Sequence, residues 1–352
     1  MMKKVVDNII LNKPIKQKRL SVTRLSISIF ILVGLIYSSF SYIQYLESEQ
    51  VVGNNKSWFA AYVDVTATPQ FPFQQMGTTS NKDAVLSFVV SLPSNACTPS
   101  WGGAYTLNQA ENVLNLDTRI ARLQEQGGSV AISFGGQKNN ELAINCTNPT
   151  KLLNAYTQVV NRYNINTIDL DIEGADLSNT QAGARRAVAI ATLQKERHKA
   201  GKKLAVWVTL PVTPQGLTQQ GTNAVSQLLK HGVDLSGVNV MTMDYGSSLT
   251  KGSNMLTASI SALTQTQRQL GILYQRAGIY LNNATLWSKI GATPMIGQND
   301  YYNEVFTLAD AQGLNQFALQ NGLGRMSMWS ANRDKIIIQF SSRNSYMLYC
   351  QV

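Results

Sequence analysis

Histidine is nearly absent. The 352 residues hold two, His198 in K-E-R-H-K and His231 in K-H-G. Both fall near predicted helix ends, where they face solvent, so neither a Ser-His-Asp triad nor a histidine-rich zinc site is expected. No G-x-G-x-x-G and no G-x-x-x-x-G-K-S/T occurs, which argues against dinucleotide-binding and P-loop folds. Charged residues make up 14% of the chain, below the roughly 25% of ordinary soluble domains. Asn, Gln, Ser and Thr are plentiful instead, a balance suited to an extracytoplasmic surface. Tandem repeats, low-complexity linkers and an appended aromatic-rich module are also missing, so no separate polysaccharide-binding domain is expected.

The formal charge of +10 is unevenly spread. Lys3, Lys4, Lys13, Lys16, Lys18, Arg19 and Arg24 against Asp7 place +6 of it in the first 24 residues. With no arginine-rich groove, aromatic RNA-binding signature or zinc-finger spacing in the remainder, nucleic acid is not an expected partner. Residues 1–24 read as a basic cytoplasmic tail. Leu25 to Leu46 follows with no ionisable group other than tyrosine phenols, and as a helix its length suits a bilayer core of about 30 Å. An uncleaved membrane anchor with its N-terminus inside is the preferred reading. The alternative is a secretory signal with its apolar region at Ile27 to Tyr37, cleaved after Ser39. Residues 47–56 read as a polar linker and 57–352 as the folded domain. Cys97 and Cys146 lie in loops after predicted strands, where oxidising conditions could join them. Three reduced buried thiols are the other option, and Cys350, next to the C-terminus, is expected to stay unpaired.

Beyond the linker, β-rich runs alternate with helix-period segments, the pattern of a parallel α/β sheet or barrel. The expected strands are 58–66, 84–92, 129–135, 167–173, 204–210, 237–244, 289–296 and 325–329. Helical patterns at 114–126, 151–163, 184–199, 223–231, 257–276 and 308–320 lie between them. Eight such strands favour a (β/α)8 TIM barrel over an open doubly wound sheet. Ile336 to Val352 has strand-like runs with no place in that scheme.

The fourth strand reads T-I-D-L-D-I-E-G. Side chains alternate along a strand, so Asp169, Asp171 and Glu173 share one face while Ile168, Leu170 and Ile172 share the other. In a barrel the apolar set meets the helices and the three carboxyls line up inside, spaced by about 7 Å. Burial and mutual repulsion then raise at least one pKa and keep a proton within the group. A glycosidase needs that state: an acid still protonated near neutral pH, beside a group able to stay negative as positive charge develops on the sugar. An outward-facing acidic strip gives the same pattern. Metal binding fits less well, because carboxyls at alternate positions of one strand do not converge on a point; neither metal nor cofactor is expected.

The strand's company separates these readings. Ser133-Phe134-Gly135-Gly136 closes strand three, Met241-Thr242-Met243-Asp244-Tyr245-Gly246 closes strand six, and Met326-Ser327-Met328-Trp329-Ser330 closes strand eight, all at the face where barrel enzymes place their active sites. In this ordered set the chain resembles glycoside hydrolase family 18, the chitinases and their relatives, marked by D-x-x-D-x-D-x-E on strand four. The segments from Cys97 to Gly103 and from Glu141 to Cys146 are similar to disulfide-linked loops of a bacterial branch of that family, and Thr293 to Asp300 to its strand seven.

The resemblance implies retaining hydrolysis of β-1,4-linked N-acetylglucosamine, with the substrate's own acetamido oxygen as nucleophile. Glu173 would be the general acid, Asp171 the partner of the acetamido group, and Asp169 a deeper support sharing a proton or hydrogen bond with Asp171. Asp244 would add a hydrogen bond, Trp329 an apolar floor, and Trp101 and Tyr105 stacking surfaces along the groove. Gly135 and Gly136 would border the substrate. Two departures stand out: Asn166 replaces the outermost acid, and Met243 occupies the place of a tyrosine that touches the acetamido group. Tyr245, two residues on, is the candidate replacement. The expected partner is chitin or chito-oligosaccharides; an N-glycan-cleaving endo-β-N-acetylglucosaminidase and a non-catalytic chitin-binding lectin-like protein are the alternatives.

Overall fold

The computed structural model describes residues 22–49, 57–78, 82–340 and 346–351. The chain divides into two units, residues 1–50 and 51–352. In the first, Val22–Glu49 is one helix. Among the described residues no helix is long and apolar enough to cross a membrane; this one helix contains Leu25–Leu46, the segment expected as the anchor. Serines dilute the segment's apolar character, and the Ser38 and Ser39 hydroxyls donate back to the Leu35 carbonyl. Most of the expected basic tail and linker lies outside the described residues.

The second unit carries the eight expected barrel strands. They are β1 (Trp58–Phe59 and Ala61–Asp64), β2 (Ala84–Leu92), β3 (Val130–Gly135), β4 (Thr167–Asp171), β5 (Ala205–Thr213), β6 (Leu235–Met241), β7 (Ile290–Thr293) and β8 (Arg325–Met326). Neighbours along this order pair in parallel. The ring closes because β1 is split: Trp58 pairs with Arg325 of β8, while Ala61 pairs with Ala84 of β2. This is the α/β barrel that the alternation implies.

Strand alternation creates two cores. Leu86, Ile132, Phe134, Ile168, Leu170, Val206, Val208, Val238 and Val240 point outward into one large cluster with the helices. A smaller cluster of Ala60, Tyr62, Val85 and Ala131, flanked by Trp58, Phe88 and Trp329, lies apart from it. Helix starts follow from local chemistry: Asn148, Asn179, Thr218, Asn254 and Thr307 cap helices through their side chains. The helix expected at 114–126 is instead two, Leu107–Leu114 and Leu116–Glu125, broken where Asn115 turns left-handed at φ 51°. The terminal strand-like runs form a hairpin of their own, Lys335–Phe340 against Tyr346–Gln351; the side chain of Cys350 is outside the described set.

Cys97 and Cys146 form a disulfide. Cys97 lies on a strand, Asn95–Trp101, that pairs antiparallel with β2, rather than in the expected loop. Cys146 ends the short helix Leu142–Asn145 that follows β3. The crosslink spans 49 residues, for which the chain-entropy model gives about 4 kcal/mol of stabilisation. The double variant Cys97→Ser/Cys146→Ser is therefore expected to unfold at clearly lower denaturant concentration, with a free-energy loss of about 2–4 kcal/mol in a urea titration.

Candidate active site

At the C-terminal ends of the strands is a cleft of about 330 Å³ lined by Tyr62, Phe88, Asp171, Glu173, Met243, Asp244 and Trp329, among others. Its base is the barrel interior, where alternation places Tyr62, Ser133, Asp169, Thr209, Asn239 and Arg325 together. Asp169 is fully buried. Its Oδ2 accepts from Tyr62 Oη at 2.8 Å and Ser133 Oγ at 2.7 Å; its Oδ1 accepts from Thr209 Oγ1 at 2.7 Å and Arg325 Nη1 at 2.6 Å. The expected hydrogen bond or shared proton with Asp171 is thus replaced by an ion pair with Arg325, because the guanidinium enters the barrel from β8 at the level of Asp169.

Asp171, one alternation nearer the cleft, is 4% exposed, and its buried Oδ1 has no hydrogen-bond partner. Burial pushes its carboxyl well above the usual range, with Glu173 and Asp169 adding to the rise and Arg325 opposing it. Strand β4 ends at Asp171, yet Glu173 keeps an extended conformation (φ −129°, ψ 168°) before the short helix Gly174–Ser178, so it still points to the side of Asp171. Burial, and then the charge of Asp244, raise Glu173 to about 7. The carboxyls of Asp171, Glu173 and Asp244 therefore meet in one cleft, and all three are raised, Asp244 chiefly by burial.

Gly135 and Gly136 act on the backbone rather than as cleft lining. A Cβ on Gly135 would lie 2.0 Å from the Asp171 carbonyl oxygen, and one on Gly136 would lie 2.7 Å from the Phe88 ring. With φ of +108° and +84° they let β3 bend closely around Asp171, whose carbonyl accepts from the Gly136 amide at 2.9 Å. Phe88, kept in place by this contact, stacks on Trp329 at 5.5 Å and 22°. Tyr62 meets Trp329 edge-on at 5.9 Å and Phe88 at 6.4 Å, so three rings form the aromatic floor expected from Trp329 alone.

Three expected sugar contacts are corrected. Tyr245 is buried, does not line the cleft, and its hydroxyl donates to Ser259 Oγ at 3.3 Å. The parity argument fails there because β6 ends at Met241 and Asp244 turns left-handed at φ 50°, so alternation does not continue to Tyr245. Met243 does line the cleft, so a thioether stands where the tyrosine was expected. Trp101 is fully buried with its indole N–H donating to Tyr163 Oη at 2.9 Å. Pairing of its strand with β2 turns it inward, and neither it nor Tyr105 reaches the cleft. Asn166 accepts from Arg197 at 2.7 Å and is not among the lining residues either.

Tyr62, Phe88, Thr209, Asp300 and Arg333 line the cleft and were not singled out in the sequence, nor was Arg325 beneath it. Tyr62, Thr209 and Arg325 carried a signal: each is polar at an inward alternation position of an apolar strand. Asp300 is fixed by its backbone, whose amide donates to Asp244 Oδ1 at 2.8 Å. That contact sets one wall, and behind it buried Glu304 accepts from the amides of Tyr245 and Gly246.

Comparison with known proteins matches residues 45–313 to the model of the glycosyl hydrolases family 18. A probable bifunctional chitinase/lysozyme of Escherichia coli (strain K12) is 36% identical over 293 residues, covering 81% of this chain and 32% of that protein. Endochitinase 11 of Metarhizium anisopliae is 34% identical over 304 residues, covering 84% and 57% respectively. The chain thus spans from a third to somewhat over half the length of these relatives. Among solved structures, the catalytic domain of a hyperthermophilic chitinase from Pyrococcus furiosus superposes with a TM-score of 0.68 at 30% identity, covering 79% of this chain and 85% of that one. Catalytic-site mutants of active domain 2 of the thermostable chitinase from that organism, complexed with chito-oligosaccharides, superpose with a TM-score of 0.67. Barrel, carboxyl strand and matched span agree, and the chain belongs to the glycosyl hydrolases family 18.

Proposed function

We propose that this chain hydrolyses chitin or chito-oligosaccharides, β-1,4-linked polymers of N-acetylglucosamine, by a retaining, substrate-assisted reaction. The observation that carries the reading is the pairing of Glu173, raised to about 7, with Asp171, whose buried Oδ1 has no partner in the protein. An acid protonated near neutrality and an unsatisfied carboxylate oxygen beside it match what such a reaction demands.

The sugar rests its apolar face on Trp329, backed by Phe88. Glu173 donates its proton to the glycosidic oxygen as that bond to the anomeric carbon breaks. The acetamido oxygen forms the new bond to the same carbon from the opposite face, giving a positively charged oxazolinium. Asp171 Oδ1 accepts the acetamido N–H and stabilises that charge as an anion in a poorly solvated site. Glu173, now a carboxylate, takes a proton from water; the water oxygen bonds the anomeric carbon, the ring opens back to the acetamide, and configuration is retained. Burial, aided by the charge of Asp244, whose Oδ1 accepts from the Asp300 amide, keeps Glu173 protonated.

The polar surface composition, the basic N-terminal stretch and the Cys97–Cys146 disulfide support work outside the cytoplasm. Cell fractionation tests this: activity is expected in an extracytoplasmic fraction, with both thiols alkylated only after reduction, and recovery in the cytoplasm with free thiols refutes it.

Incubation with chitin and soluble chito-oligosaccharides is expected to release shorter oligosaccharides, and Glu173→Gln to lower kcat by a factor of about 10²–10⁴ with the fold intact by circular dichroism. A protein that binds chitin and releases no sugar refutes the reading, and release of glycans from a glycoprotein alone redirects it to the N-glycan core. Because Glu173 acts protonated and titrates at about 7, kcat/KM is expected to fall as pH rises through that value. A profile still flat at about pH 9 refutes Glu173 as the acid.

A further inference from the structure

Arg325 is a buried cation directly below the carboxyls of the cleft, and nothing in the motif or the family match gives it a role. Its side chain and that of Asp169 are both 0% exposed. Nη1 lies 2.6 Å from Asp169 Oδ1, and Nη2 donates to Tyr62 Oη at 3.0 Å. The guanidinium carbon lies 5.0 Å from the ring of Trp58, 5.3 Å from Tyr62 and 5.6 Å from Trp207. Its Nε has no hydrogen-bond partner, so the rings and the ion pair hold it.

The charged and titratable groups facing this point come from few elements. β1 supplies Tyr62, whose hydroxyl burial pushes well above its ordinary value. β4 supplies Asp169 and Asp171, with Glu173 beyond, and Asp244 faces Glu173 from the loop after β6. From β5 and β6 come the neutral Thr209 and Asn239. Asp171 thus has Asp169 and Glu173 as negative neighbours and Arg325 as its positive one.

We propose that Arg325 is a positioning residue of this site: held against Asp169 by an ion pair and a hydrogen bond, it supplies the positive charge beneath Asp171, so that the proton exchanged during turnover is carried by Asp171 and Glu173. Arg325 and Asp169 then act on Asp171 in opposite directions. The guanidinium favours the Asp171 anion that the positive intermediate needs, and the Asp169 carboxylate opposes it. This inference rests on the hydrolytic reading above, in which Asp171 must be ionised for activity.

The test is the pH profile of kcat/KM on a soluble chito-oligosaccharide for the parent, Arg325→Met, Arg325→Lys and Asp169→Asn. Loss of the cation in Arg325→Met is expected to move the acid limb to higher pH by about one unit or more, whereas Asp169→Asn, which leaves the cation unopposed, moves it to lower pH. Arg325→Lys keeps the charge and is expected to hold the limb within about half a unit of the parent. A merely structural role lowers the melting temperature and the amount of active protein without moving the limb, so coincident limbs overturn the proposal, as do shifts of one sign. If Arg325→Met does not fold, Asp169→Asn decides: a downward shift supports the proposal, and an unmoved or upward limb overturns it. A parent that cleaves no substrate overturns the hydrolytic reading itself, an outcome distinct from a parent that cleaves while its variants keep its limb.

Discussion

The ion pair between Asp169 and Arg325 is the contact on which the barrel's centre depends. Two charges fully removed from water are costly unless each is met by a partner and by hydrogen bonds. Asp169 satisfies this with donors from β1, β3, β5 and β8, so one carboxylate fastens strands on every side of it. The split of β1 at Ala60 belongs to the same design: Trp58 pairs beside Arg325 itself, and Tyr62, beyond the break, brings its hydroxyl to both charges. Polar groups here replace the branched apolar layers that more often fill such barrels.

With Asp169 satisfied, the unsatisfied groups lie one layer higher. Asp171 inherits the desolvation of the interior but none of its donors, and Glu173 is raised by burial and then by the charge of Asp244. A second buried network braces this layer from behind. Glu141 accepts from Tyr156 and pairs with Arg186, while its backbone amide donates to Asp176 on the short helix that starts just after Glu173. That helix, too brief to be stable alone, is thereby tied to the segment that Cys146 anchors.

The sequence made the frame of this arrangement legible, and its failures are local. Alternation in T-I-D-L-D-I-E-G correctly separates the acids from Ile168, Leu170 and Ile172, because β4 is flanked by strands on both sides and cannot shift register without burying the wrong face. The same rule misplaced Tyr245 where β6 had already ended, since a left-handed residue resets the parity. Trp101 was placed on a loop because its segment resembles disulfide-linked loops; pairing with β2, a long-range event, decided otherwise. Arg325 was visible as a lone charge among apolar neighbours on β8, but its partner lies 156 positions away in the chain. No local pattern reports such a distance.

The chain carries +10 overall, +6 of it in the first 24 residues, while the cleft sets Asp171, Glu173, Asp244 and Asp300 beside Lys138 and Arg333. For the uncharged N-acetylglucosamine polymer proposed as substrate, this contrast has a kinetic meaning. Long-range attraction cannot steer a neutral ligand, so encounter proceeds at the unassisted diffusional rate and is indifferent to ionic strength. On the proposed reaction, discrimination is left to what happens after contact, when the sugar ring meets Trp329 and its amide meets the unpartnered Oδ1 of Asp171.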